Sequence, residues 1–139
     1  MDKDTGLLVV HRRLHTPMFY PANYGIIPHT LSSDGDPLDI LIIEQEQLIP
    51  GCVIAVQPIG VLVMEDEAGI DEKILAVPVM LIDPQYKNIN SYKDLPKSLI
   101  EEITHFFLHY KDLEKEKLVK IEGWQDEDSA KELIRKALV

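Results

Sequence analysis

Three aspartates lie within six residues, at Asp34, Asp36 and Asp39, and a glycine and a proline separate them. Gly35 and Pro37 turn the backbone sharply, so the side chains can converge where a straight strand would point Asp36 and Asp39 to opposite faces. Convergent carboxylates repel unless a cation lies among them, and ligand sets made only of oxygen select Mg²⁺, Mn²⁺ or Ca²⁺. The pattern indicates a hard-cation site, although in isolation it is typical of a simple turn.

A second acidic group covers residues 65–72, around a predicted hairpin tip. Taken alone, this acidity is typical of a solvated turn. The sequence also contains basic and phenolic residues close to these acidic stretches or in other motif-like segments, namely Arg12, Tyr20, Tyr24, Lys73, Tyr110 and Lys111. Carboxylates that hold metals, combined with Arg, Lys and Tyr side chains that hold an oxyanion, predict a metal-assisted phosphoryl-transfer site.

The elements that must position these residues are mostly strands. β-rich runs predict strands over residues 7–12, 38–43, 52–64, 73–79 and 118–124, with a bend at Pro58 or Gly60. Residues 14–37 contain many prolines and glycines and are predicted to form an ordered functional loop. Helical spacing after Asp94 and again from Ser129 predicts two late helices. We therefore expect an α+β fold with a mostly antiparallel, barrel-like sheet.

The composition limits the possible functions. A chain of 139 residues fits one domain, and 24 acidic against 14 basic residues give a net charge of −10. This charge weighs against nucleic acid as a partner and favours cations. The longest apolar run, residues 74–82, is far shorter than the roughly 18 residues that cross a bilayer. We expect no membrane partner and a cytoplasmic location.

Four segments together resemble the successive signatures of the soluble family I inorganic pyrophosphatases of bacterial type. They are FYPANYG at residues 19–25, DGDPLD at 34–39, DEAGID at 66–71 with Lys73, and HYKDL at 109–113. The resemblance implies a mostly antiparallel five-stranded β-barrel of OB-like type, flanked by two helices. It also implies Mg²⁺-dependent hydrolysis of inorganic diphosphate to two phosphates, in a homohexamer.

The resemblance also implies a role for individual residues. It places metal ligands at Asp34, Asp39, Asp66 and Asp71, the carboxylate that orients the attacking water and takes its proton at Asp36, and phosphate ligands at Arg12, Tyr24, Lys73, Tyr110, Lys111 and, close behind, Tyr20. These assignments come from the motifs that match and not from spacing alone.

The chain departs from the family pattern at its start. The family carries a segment before residues 7–12 that holds a phosphate-binding lysine and acidic residues, whereas this sequence begins at Met1 without them. We therefore expect a single, N-terminally shortened domain over residues 1–139, with weak but Mg²⁺-dependent activity. Two alternatives are a catalytically weak or dead metal-binding oligomer of the same fold and, with less support, a barrel that binds a nucleic acid strand through Arg12, Tyr20 and Tyr24.

Overall fold

The computed structural model describes residues 1–115 and 117–139. Its strands are β1 (Asn23–Ile26), β2 (Asp39–Ile42), β3 (Val56–Asp66), β4 (Gly69–Pro78) and β5 (Val119–Gln125). Two short 3₁₀ helices, Pro84–Tyr86 and Tyr92–Asp94, precede helix α1 (Lys97–His109), and helix α2 (Glu127–Ala137) follows β5. Neither α-helix among these residues has the length and apolar composition needed to span a bilayer.

The five strands form one sheet in the order β1-β2-β4-β3-β5. Every neighbouring pair is antiparallel except β2 and β4, which run parallel. The predicted α+β class, with a mostly antiparallel five-stranded sheet and two helices, is confirmed. The parallel pair is possible because the long β3–β4 hairpin returns the chain beside β2.

The β3–β4 hairpin is the longest pairing in the sheet. Its register runs from Val56 opposite Pro78 to Asp66 opposite Gly69, with an irregularity between Pro58 and Gly60 where the sequence predicts a bend. A Cβ at Gly60 would lie 2.9 Å from the ring of Tyr92, so the ring can pack there only because the residue is glycine.

Two local predictions are wrong. Residues 7–12 form no strand, and Leu7 to Val10 are 63–80% exposed. Conversely, β1 lies inside the stretch predicted to be a loop, where Asn23 to Ile26 pair with β2. A short β-rich run needs a neighbouring strand before its backbone groups can pair, so β propensity alone decided neither segment.

The apolar core lies on both faces of the sheet, and side chains alternate between them. Leu41, Leu62 and Leu75 belong to the cluster that includes Ile103 and Phe107 of α1. Ile40, Ile42, Val61, Ile74 and Ala76 belong to the opposite cluster, together with Ala130 of α2. Each helix therefore covers one face, and the alternation decides which polar residues share a face with α1.

Candidate functional site

The same alternation gathers polar residues of β2 and β4 on the α1 face. In the strand register, Asp39 of β2 lies opposite Lys73 of β4, two residues from the core pair Leu41 and Leu75. Asp71 precedes Lys73 by two residues and therefore shares its face. The strands thus place two carboxylates and one amine where the apolar core ends.

Lys73 lies at the centre of this group and is only 3% exposed. Its Nζ donates to Asp39 Oδ2 at 2.7 Å, to Asp71 Oδ1 and Oδ2 at 3.0 and 2.9 Å, and to Tyr24 Oη at 3.4 Å. Its Nζ also lies 5.6 Å from the centroid of the Phe107 ring. Burial disfavours the charged amine, but Asp39 and Asp71 outweigh that effect and raise the pKa of Lys73. Lys73 is therefore a buried, charged cation.

The carboxylates carry more negative charge than this single lysine offsets. Burial raises the pKa of Asp71, Lys73 acts against that rise, and the charges of Asp39 and Asp66 add to it. A further cation would relieve this repulsion, and the donors are all hard oxygens. The chemistry of Asp39, Asp66 and Asp71 thus suits a hard divalent cation.

Asp66, at the end of β3, connects this face to the turn that follows α1. Lys111 Nζ donates to Asp66 Oδ2 at 3.3 Å and lies 3.9 Å from Glu67 Oε1. Lys117 Nζ binds the same Glu67 oxygen at 2.8 Å. The hairpin tip, which could have been only a solvated acidic turn, is therefore paired with two lysines.

Three tyrosines line the same region. The Tyr20 ring lies 4.9 Å from the Tyr24 and Phe106 rings, and the Tyr110 ring stacks on Phe106 at 5.3 Å between centroids. Burial is the main cause that raises the pKa of Tyr20, Tyr24 and Tyr110. All three phenols therefore remain protonated at neutral pH and can donate hydrogen bonds to an anion.

Arg12 lies at the edge of this region and forms a two-point ion pair. Its Nη1 and Nη2 donate to Glu114 Oε1 and Oε2 at 2.6 and 3.1 Å. Glu114 could not be identified from the sequence, because a partner 102 positions away gives no local signal. Glu67 and Lys117 were also not identified individually, although Glu67 lies inside the acidic stretch at residues 65–72.

Asp34 and Asp36 lie outside the paired strands, in the exposed turn before β2. Asp34 Oδ1 accepts from the Asp36 backbone N–H at 2.9 Å. Among the described residues, no group of three or more His, Cys, Asp or Glu side chains is close enough to hold a metal ion. The structure thus brings Asp39, Asp71 and Lys73 into contact and leaves Asp34 and Asp36 on the loop.

Known proteins resemble this chain along almost its full length. The inorganic pyrophosphatase family model matches residues 1–139. The inorganic pyrophosphatases of Agrobacterium fabrum and Pseudomonas aeruginosa are 58% and 54% identical over 138 residues, which cover 99% of this chain and 78% and 79% of those proteins. Among solved structures, the inorganic phosphatase of Anaplasma phagocytophilum gives a TM-score of 0.95 at 52% identity, covering 99% of this chain and 80% of that chain. The inorganic pyrophosphatase of Thermus thermophilus gives 0.93 at 42% identity, covering 99% and 79%.

Proposed function

Because the chain belongs to the inorganic pyrophosphatase family, we propose that it hydrolyses inorganic diphosphate to two phosphates with Mg²⁺ as its cofactor. The observation that carries the proposal is the buried ammonium of Lys73, held at 2.7 and 2.9 Å between Asp39 and Asp71. Carboxylates, cations and protonated phenols on one face suit a reaction that moves a phosphoryl group between oxygens.

The proposed metal ligands are Asp34, Asp39, Asp66 and Asp71. The latter three fit a hard cation because they are oxygen donors on the sheet face where negative charge exceeds that of Lys73. Bound Mg²⁺ supplies a Lewis acid that makes water more acidic and offsets charge on phosphate oxygens. Asp34 would join these three from the exposed turn before β2.

The chain's own cations and phenols are proposed to bind the substrate. Arg12, Tyr20, Tyr24, Lys73, Tyr110 and Lys111 are all donors, and a diphosphate presents only acceptor oxygens. The raised pKa of Tyr24, caused first by burial, keeps its hydroxyl protonated for this purpose. These donors compensate locally for a net charge of −10 that would otherwise repel an anionic substrate.

Asp36 is proposed to orient the attacking water and to accept its proton. Its exposed carboxylate is free of ion pairs among the described residues, so it is available as a base. A neighbouring turn contact, from the Asp36 N–H to Asp34, holds the backbone without using the Asp36 carboxylate. We also propose a single catalytic domain, a homohexamer and a cytoplasmic location, the last on the sequence argument.

A phosphate-release assay tests this function. The chain is incubated with diphosphate in Mg²⁺ and, in parallel, in EDTA, and we expect release only with Mg²⁺. An oligonucleotide gel shift at low salt accompanies it, and we expect no shift because of the negative net charge. Absence of phosphate release at saturating Mg²⁺ would contradict the proposal, and an oligonucleotide shift would support the nucleic-acid alternative.

A further inference from the structure

The ion pair between Arg12 and Glu114 joins two distant parts of the chain. Both guanidinium nitrogens at the tip of Arg12 donate to the two carboxylate oxygens of Glu114, which fixes the plane of the guanidinium as well as its position. The Glu114 side chain is only 7% exposed, against 40% for Arg12. The two-point contact therefore gives the pair a defined geometry, although the Arg12 side chain is open to solvent.

The backbone around Arg12 does little to place it. Among the described residues, no backbone hydrogen bond involves residues 8–15, and this segment belongs to no strand or helix. Leu14 packs against the core cluster two residues later, which anchors the segment but does not orient the Arg12 side chain. The direction of the guanidinium thus depends on its partner.

Glu114, by contrast, lies on a firmly held turn. The Tyr110 N–H donates to the Phe106 carbonyl at the end of α1, and the Glu114 N–H donates to the Lys111 carbonyl at 3.0 Å. The turn that carries Glu114 therefore also carries Tyr110 and Lys111, two of the proposed phosphate ligands. Whatever Glu114 holds is placed relative to them.

The charge of Arg12 affects a tyrosine of the proposed substrate site. Burial raises the pKa of Tyr20, and the positive charges of Lys73 and Arg12 act against that rise. The hydrogen bonds to Glu114 raise the pKa of Arg12, and the nearby Tyr110 and Tyr20 raise it further. The charge of Arg12 therefore acts on the two tyrosines while its guanidinium stays bonded to Glu114.

We propose that Glu114 is a positioning residue that holds the Arg12 guanidinium in place for a diphosphate. This inference rests on the proposed function. The remaining N–H groups of the guanidinium can contact a phosphate while Glu114 occupies two of its five donors. Preorganising such a long side chain lowers the conformational entropy lost when the anion binds.

The test is a double-mutant cycle with Glu114→Gln and Arg12→Gln, measured in Mg²⁺. Glu114→Gln should raise KM roughly tenfold with little change in kcat, as expected when one charge-assisted contact is lost from ground-state and transition-state binding alike. In the Arg12→Gln background, the same substitution should change KM less than about twofold, because Glu114 then has no guanidinium to position. Glu132→Gln on α2, which removes an equal charge from exposed pairs with Arg135 and Lys136, is the matched control and should leave KM unchanged.

A binding measurement separates this inference from the proposed function. Calorimetric titration with imidodiphosphate, a non-hydrolysable diphosphate analogue, should show weaker binding to Glu114→Gln by the same factor as KM. Phosphate release by the unaltered chain, together with unchanged analogue affinity in Glu114→Gln, overturns the positioning role and leaves the function standing. A lower KM in Glu114→Gln would show that Glu114 competes with substrate for Arg12, and an equal loss in both backgrounds would show that it acts by another route. If the unaltered chain neither hydrolysed diphosphate nor bound the analogue, both proposals would be overturned.

Discussion

The proposed site has two halves that are held in different ways. Asp39, Asp71 and Lys73 project from paired strands beside the core, and their contacts are 2.7–3.0 Å long. Asp36 and Arg12 come from segments outside the sheet, where Asp36 is exposed and Arg12 depends on Glu114. The strand-borne half is thus fixed before any ligand binds, whereas the loop-borne half is placed by turns and side-chain contacts.

Because of this difference, substitutions in the two halves should affect stability and catalysis differently. A change in the strand-borne half disturbs buried charges and therefore the free energy of unfolding as well as activity. A change in the loop-borne half removes a functional group from an exposed segment, where substitutions usually alter stability by less than about 0.5 kcal/mol. Measuring the free energy of unfolding together with activity therefore compares the two halves.

The largest combined effect should come from Lys73→Met. Removing the ammonium leaves Asp39 and Asp71 close together without their shared cation, and breaking a buried pair in this way costs about 3–5 kcal/mol of unfolding free energy. Loss of a charge-stabilising donor should also lower the turnover rate about 10²–10³-fold. Urea unfolding in EDTA and phosphate release in Mg²⁺ measure the two effects.

Lys120→Met is the matched control, because Lys120 lies on β5 with a side chain that is 70% exposed. It should change neither quantity appreciably. Equal destabilisation by both substitutions would show that the strand-borne half gains nothing special from Lys73.

Asp36→Asn should separate the halves most clearly. The substitution keeps the shape of the side chain and removes a proton acceptor, so turnover should fall about 10²–10⁴-fold. The melting temperature should stay close to that of the unaltered chain, because the Asp36 side chain is exposed. Asp4→Asn, another exposed aspartate, controls for the loss of one charge, and unchanged turnover in Asp36→Asn would remove its assignment as the base.

Mg²⁺ itself should stabilise the fold. A ligand that binds only the native state adds about 2.7 kcal/mol at a hundredfold excess over its dissociation constant, and it would also relieve the repulsion at Asp71. Thermal melts in Mg²⁺ and in EDTA measure the gain. The gain should persist in Asp36→Asn, and superimposable melting curves of the unaltered chain would exclude a metal site in the strand-borne half.

The smallest effect on stability should come from Arg12→Gln. Its pair with Glu114 includes a guanidinium side chain that is 40% exposed, and such pairs contribute about 0–1 kcal/mol. Urea unfolding should therefore change little even though KM rises. A loss comparable with that of Lys73→Met would show that residues 7–12 are held as firmly as the strands.

The same division explains what the sequence could and could not predict. The carboxylate motifs and the two late helices are local patterns, and the structure places Asp39, Asp71 and Lys73 in one group. The parallel pairing of β2 with β4, which sets Asp39 opposite Lys73, depends on contacts between distant segments.

Long-range contacts also account for the errors. Tyr24 lies in a strand only because β2 offers a partner for it, and its neighbours Pro21 and Gly25 suggest a loop. The exposed residues 7–12 have strand propensity without such a partner, and Glu114 acquires its role only through Arg12. Residue types thus predicted the chemistry, whereas distant pairing decided the placement.

The Mg²⁺ dependence of phosphate release in Asp71→Asn and Glu72→Gln tests the central claim most directly. The two residues are neighbours on β4, and strand alternation puts only Asp71 on the face of Lys73. We expect Asp71→Asn to need a Mg²⁺ concentration at least about tenfold higher for half-maximal rate, as for the loss of one charged ligand, and Glu72→Gln to match the unaltered chain. Identical Mg²⁺ requirements in all three proteins would contradict the assignment of this sheet face as the metal-dependent site.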